Sequence, residues 1–368
     1  MSKLNRRECM RGLLATAAAA AAPSGYGAVP GPRSKPEPTS SEDKIKICLI
    51  WGDQDPHRVK LSKQIGVTHA IAGTTGALSR VPRSQYVDTV AKIHASYKAA
   101  RLTIAGVESH PVPADKIKLG LAGRDEEIEN YIAAIEAIGK AGIPVVCYDF
   151  MAGIDWYRSN LHYPGRGGCS TMSFDLEDAE KLGLTQWGRI SEDQMWQNIE
   201  YFLKAVIPVA QRAGVKMALH PDDPPVPVLR GISRIITSPA AYRRVMNIVP
   251  SPVNGATFEM GVFSLFGVDL RALARELCRE NKVFYIHARN LRGARDNFVE
   301  TFQDDGKTDF GEMFQTFYDN GFRGPLRPDH DPILDGETDV RPGYGVLGKI
   351  FAVGYIKGIM ASRHIPYV

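Results

Sequence analysis

From residue 45 to the C-terminus, short apolar runs alternate with longer stretches whose apolar residues recur at helical spacing. Ile45–Trp51, Val67–Ala72, Leu102–Glu108 and Ile143–Phe150 read as strands, the second of them weakly patterned. Four more follow at Val215–His220, Gly255–Glu259, Val283–His287 and Gly324–Asp329. Helical periodicity fits Ser84–Ala99, Arg124–Ala141, Ser191–Ala213, Pro239–Met246, Leu270–Asn281, Gly311–Asn320 and Val346–Ser362. Ser191 ahead of Glu192 and Asp193 marks a helix start, with a hydroxyl to cap a backbone N–H and acids to suit the positive helix end. Alternation of this kind is the signature of a parallel sheet with crossover helices. Eight units predict a single (β/α)8 TIM barrel over residues 43–368.

Two insertions break the rhythm. Met151–Arg189 follows the fourth strand, and Asn290–Asp309 follows the seventh. Both are expected as long loops on the face where the strands end, the place for a lid and for substrate walls.

The last four strands each end in a residue that binds cations: His220, Glu259, His287 and Asp329. Successive members lie roughly 30 to 40 residues apart, what one strand and its crossover helix occupy. Delivered to one mouth of a barrel, two imidazoles and two carboxylates would hold a divalent cation. Mn²⁺ suits that set best, with Fe²⁺, Mg²⁺ or Co²⁺ as alternatives and Zn²⁺ also accepted. His330 and Tyr344 are the acid/base candidates beside it. Arg289 and Arg327 either fork onto a substrate carboxylate or bridge to carboxylates of the barrel. The run His220-Pro-Asp-Asp-Pro-Pro225 is rigid and acidic, and either Asp222 or Asp223 is placed to orient a ligand.

Composition excludes more than it proves. The formal charge of the 368 residues is +4, and Lys3, Arg6, Arg7 and Arg11 carry much of it. The nearly neutral remainder lacks the concentrated basic face that nucleic acid requires. Arg6-Arg7 followed by the Ala-rich run Gly12–Ala22 predicts a twin-arginine-type signal peptide over residues 1–28, and hence periplasmic delivery or export. That run is too short for a permanent membrane anchor. Residues 29–42, rich in Pro and Ser, are expected as a disordered linker. After Cys9, the thiols Cys48, Cys147, Cys169 and Cys278 have no metal-ligand spacing. Cys48 and Cys147 sit in apolar strands and are expected in the core.

Several motifs together resemble the mannonate dehydratases, metal-dependent enzymes of hexuronate (glucuronate) breakdown on a xylose-isomerase-like barrel. They are Ile117-Lys-Leu-Gly-Leu with Arg124-Asp125, Val146-Cys-Tyr-Asp-Phe-Met151, Asp155-Trp156 with Arg158, and His220-Pro-Asp-Asp-Pro-Pro225. Asn254-Gly255 with Thr257, His287-Ala-Arg-Asn290, Arg327-Pro-Asp-His330 and Arg341-Pro-Gly-Tyr-Gly345 continue the likeness, which runs from about Ile45 to the C-terminus. The resemblance implies His220, His287 and Asp329 as metal ligands and His330 and Tyr344 as acid/base residues. It also implies Trp156, Arg158, Arg289, Asn290 and Arg327 as substrate contacts. One position departs: after Thr-Phe, where the family usually has a cysteine ligand, this chain has Glu259, and two extra residues separate Gly261 from Ser264-Leu265.

The activity this implies is dehydration of D-mannonate to 2-dehydro-3-deoxy-D-gluconate, by a small-molecule enzyme that is compatible with a homo-oligomer. Glu259 keeps a second reading open, a metal-dependent sugar or sugar-acid isomerase or epimerase on the same barrel.

Overall fold

The computed structural model describes residues 40–50 and 55–368. The expected signal peptide, most of the expected linker and Trp51 lie outside the described residues. Eight parallel strands close into a barrel in sequential order: Lys46–Ile50, His69–Ala72, Thr103–Val107, Val145–Tyr148, Lys216–Leu219, Asn254–Glu259, Val283–Ala288 and Pro325–Pro328. The first strand shuts the ring against the eighth, with Ile47 opposite Leu326. The expected barrel is therefore present, each strand within two residues of its predicted ends where these are described.

Period-two alternation along the strands explains the layering. Cys48, Ile71, Ala105, Val145, Cys147, Ala218 and Tyr285 fill the barrel interior, joined by Phe284, which breaks the alternation at a register shift between the sixth and seventh strands. Their neighbours Ile47, Leu49, Ile104, Val146, Met217, Phe258 and Ile286 pack outward under the helices. Gly255 is needed for this packing, since a Cβ there would meet the Phe284 ring at 2.5 Å and the Lys282 carbonyl at 2.6 Å.

The outer helices start where capping chemistry places them. Ser191 accepts from the Gln194 N–H at 3.2 Å to open Glu192–Ala213, and Ser238 and Asp309 do the same for Pro239–Ile248 and Phe310–Asp319. An unforeseen helix, Pro56–Gln64, follows the first strand. Ser62 is its only buried residue, so it carries no apolar stripe from which a helix could be read.

The two insertions carry short strands of their own. They pair with each other in a four-stranded antiparallel sheet ordered Leu291–Gly293, Asn297–Glu300, Ser170–Asp175, Asn160–Pro164. Phe298 opposes Phe174, and both join Val226, Leu229, Leu265 and Leu291 in a separate buried cluster. Asn160–Pro164 is exposed throughout, so no hydrophobic alternation announced it. The consequence for the site is direct: this sheet carries Glu300 to the barrel mouth. No helix among the described residues is long and apolar enough to cross a membrane.

Candidate active site

A cavity of about 330 Å³ opens at the C-terminal ends of the barrel strands, within the range of small-ligand sites. His220, His287 and Asp329, from the fifth, seventh and eighth strands or the residues just after them, line it. One ligand atom from each lies within 4.8 Å of the others. The Nδ1 of His220 is 2.8 Å from the Pro221 carbonyl, a contact that requires the proton on Nδ1 and leaves the Nε2 lone pair free. Burial, then the neighbouring His287, lower the His220 pKa to about 4, so this imidazole is neutral. Neither Asp222 nor Asp223 orients it, contrary to the sequence reading; the Pro221 carbonyl takes that role. Asp222 instead accepts from the Ile236 N–H and pairs with Arg234 at 3.3 Å.

His287 is fully buried, yet neither ring nitrogen has a hydrogen-bond partner. Its Nδ1 lies 3.3 Å from Asp329 Oδ2, and its Nε2 lies 3.5 Å from Glu108 Oε2. Burial and Arg327 push this imidazole down, but Glu108 and Asp329 more than offset them, so its pKa is raised. Burial pushes Asp329 up, and the adjoining Arg327, His330 and His287 pull it well below the usual carboxylate range. An orphaned buried imidazole facing a carboxylate, beside a neutral histidine with a free lone pair, is the environment a divalent cation completes. These residues fit one.

Glu259 does not join them. Its carboxylate accepts from the backbone N–H groups of Gly261, at 3.2 Å, and Val262, capping the short helix Met260–Phe263. Arg289 Nη1 stands 3.7 Å from it. The carboxylate thus serves as an N-cap acceptor, the role Ser191 and Asp309 fill for their helices. Glu259→Gln is accordingly expected to keep bound Mn²⁺ at full stoichiometry by atomic absorption. Loss of the ion in that variant would return Glu259 to the ligand set.

Of the expected substrate contacts, Arg158 and Arg289 are consumed in a buried ionic lattice. Arg158 grips Asp223 bidentately at 2.9 and 2.7 Å, and its Nε donates to Glu300 at 2.6 Å. Arg289 donates to Asp223 at 2.7 Å and pairs with Glu300 at 3.0 Å. Asn290 ties its own loop together, donating to the carbonyls of Gln303 and Thr308 and accepting from two backbone N–H groups. Trp156 and Arg327 do line the cavity. Arg327 is held there by Asp329 at 2.7 Å and Glu108 at 3.2 Å.

His330 and Tyr344 share that cavity, their rings 5.7 Å apart. His330 adopts φ 50°, a left-handed conformation that costs a histidine about 1–3 kcal/mol and is met at functional sites. Its Nδ1 meets Glu300 Oε1 at 2.8 Å, and Trp156 packs on the ring at 5.0 Å. Glu300 thereby places the His330 proton on Nδ1 and leaves Nε2, 3.9 Å from Asp329, for chemistry. Burial raises Glu300, but Arg158 and Arg289 hold it down at about 2, so it stays an anion. Glu108, Glu300 and the mouth residue Arg341, whose guanidinium sits 5.3 Å over Trp156, were given no role from sequence, although Arg341 opens one of the quoted motifs. Glu108 ends a predicted strand just as the ligands do, a signal that was present and went unused.

Barrel and mouth together define a class: (β/α)8-barrel proteins with a histidine–carboxylate group at the C-terminal ends of the strands. Solved structures of low identity agree on the fold, among them a xylose isomerase domain protein from Planctomyces limnophilus (TM-score 0.54, 13% identity, 87% of this chain and 98% of that one). The chain belongs to the D-mannonate dehydratase (UxuA) family, whose model matches residues 45–186 and 178–365, and it is a hydro-lyase. A mannonate dehydratase of Streptococcus equi subsp. zooepidemicus is 35% identical over 349 residues, covering 87% of this chain and 94% of that protein. One from Thermotoga petrophila is 32% identical over 354 residues, covering 86% and 97%. The crystal structure of mannonate dehydratase from Streptococcus suis serotype 2 superposes with a TM-score of 0.79 at 32% identity, covering 88% and 97%.

Proposed function

We propose that this enzyme dehydrates D-mannonate to 2-dehydro-3-deoxy-D-gluconate, with a divalent cation held by His220, His287 and Asp329. The observation that carries the reading is the convergence of those three ligand atoms within 4.8 Å in the cavity that also holds His330 and Tyr344. A bound cation supplies Lewis acidity toward the substrate carboxylate, making the adjacent C2 proton easier to remove. The choice among Mn²⁺, Fe²⁺, Mg²⁺ and Co²⁺ follows availability as much as this donor set, and Mn²⁺ is our assignment.

The protein's own groups divide the proton work. Nε2 of His330, its tautomer fixed by Glu300, takes the proton from C2. Burial pushes the Tyr344 phenol up, which suits a group that stays protonated until it gives its proton to the departing C3 hydroxyl. Proton and hydroxyl leave as water, and the enol left behind tautomerises to the 2-keto acid. Arg341, exposed at the rim beside Trp156 and Tyr344, is a cationic side chain placed to steer the acid inward. The isomerase reading rested on Glu259 as an added carboxylate, and that support is gone with Glu259 turned to its helix.

Solvent deuterium separates the two roles. Each of Tyr344→Phe and His330→Asn is expected to lower kcat by about 10²–10⁴. Only Tyr344→Phe should still exchange the C2 proton of recovered mannonate for solvent deuterium in D₂O. Exchange in His330→Asn but not in Tyr344→Phe would reverse the assignment. A product that conserves the mass of mannonate would sink the dehydratase reading itself.

A further inference from the structure

His287 belongs to two ligand groups. Besides the set already described, ligand atoms of Glu108, Cys147 and His287 lie within 4.8 Å of one another, and all three residues line the same cavity. We propose that Glu108, Cys147 and His287 form a second cation position, selective for thiophilic divalent ions such as Zn²⁺, which competes with the first position for His287. The competition, though not the second position, rests on the function proposed above.

The donor chemistry distinguishes the two positions. A thiolate beside imidazole and carboxylate favours Zn²⁺ or Co²⁺ over Mn²⁺ and Mg²⁺, whereas the first position offers only nitrogen and oxygen. Thr257 Oγ1 lies 3.2 Å from the Cys147 sulfur, a donor ready for a thiolate. Tyr285 Oη donates to Glu108 at 2.9 Å and fixes its carboxylate. Among the described residues Cys48, Cys169 and Cys278 join no such group.

His287 makes the positions alternatives. A neutral imidazole has one N–H and one lone pair. Nδ1 faces Asp329 and Nε2 faces Glu108, and neither nitrogen has a hydrogen-bond partner. With an ion on the Asp329 side, the Nε2–H points to Glu108. With an ion on the Glu108 side, the Nδ1–H points to Asp329. Each carboxylate is thus a ligand in one state and an orienting acceptor in the other. Filling the second position forms a sulfur–metal bond and releases the Cys147 thiol proton to solvent. The thiolate and the Glu108 carboxylate then balance the ion's two charges.

Titrating metal-free full-length enzyme with Co²⁺ tests this. Thiolate-to-cobalt charge-transfer absorption should appear in the wild type and in His220→Ala, which lacks only the first position, and vanish in Cys147→Ser. No such band in the wild type, an undiminished band in Cys147→Ser, or its loss in His220→Ala would each overturn the second position. X-ray absorption at the zinc edge of the wild-type Zn²⁺ form needs no variant. One sulfur at about 2.3 Å is expected, and a shell of nitrogen and oxygen alone would refute it. Saturating Zn²⁺ should weaken Mn²⁺ retention at least tenfold more in the wild type than in Cys147→Ser, where only direct displacement from the first position remains. Independent binding of both ions would remove the competition and leave the second position standing.

Discussion

Asp329→Asn is expected to empty the first cation position and to take turnover with it. Changes to groups that merely orient a ligand cost about 10- to 100-fold in metal affinity, so losing a charged ligand should exceed 100-fold for Mn²⁺. Lewis-acid assistance is worth several kcal/mol, and kcat/KM should therefore fall by about 10³ or more. Asp329 is the only carboxylate in the three-residue group. Its replacement also leaves Arg327, now paired at 2.7 Å, with Glu108 as its remaining carboxylate partner. Equilibrium dialysis against Mn²⁺ together with steady-state rates checks both parts. Full activity with full Mn²⁺ content would show that the ion, or the chemistry, lies elsewhere.

Arg158→Met should destabilise the fold by about 3–5 kcal/mol, the range for removing one partner of a buried ion pair. Arg158 is buried between Asp223 and Glu300, and without it Arg289 alone faces both carboxylates. Urea unfolding measures the loss, and a change within about 0.5 kcal/mol would contradict the account. The pH dependence has a definite sign. Glu300 titrates at about 2 instead of 4.5, so it contributes stability that is complete above pH 4.5 and lost as the pH falls through about 2. Removing Arg158 raises that folded value, and acid unfolding should begin at higher pH in the variant than in the wild type.

Much of this was legible in the sequence, for a definite reason. Barrel strands are buried on both faces, so Val283-Phe-Tyr-Ile-His287 and its counterparts stand out as apolar runs that stop at a polar residue. That stop marks the mouth of the barrel, which is why His220, His287 and Asp329 could be placed together before any coordinates. Glu259 obeyed the same rule and failed it, because a strand-end carboxylate serves equally well as a helix cap. Arg158 and Asn290 were assigned to substrate from the motifs they sit in, and Arg289 was left between a substrate carboxylate and carboxylates of the barrel, the second of which it meets. Their true partners, Asp223, Glu300 and the backbone of residues 303–308, lie far along the chain or in main-chain groups that sequence does not display. The inserted sheet was invisible for a related reason: its pairing joins segments more than a hundred residues apart, and its outermost strand buries nothing.

Anomalous diffraction at the manganese edge, on crystals of full-length enzyme loaded with Mn²⁺, addresses the shared cation most directly. A single strong peak within ligand reach of His220 Nε2, the His287 ring and the Asp329 carboxylate is the expected result. A peak bonded to other residues, or none at full Mn²⁺ occupancy in solution, would contradict it.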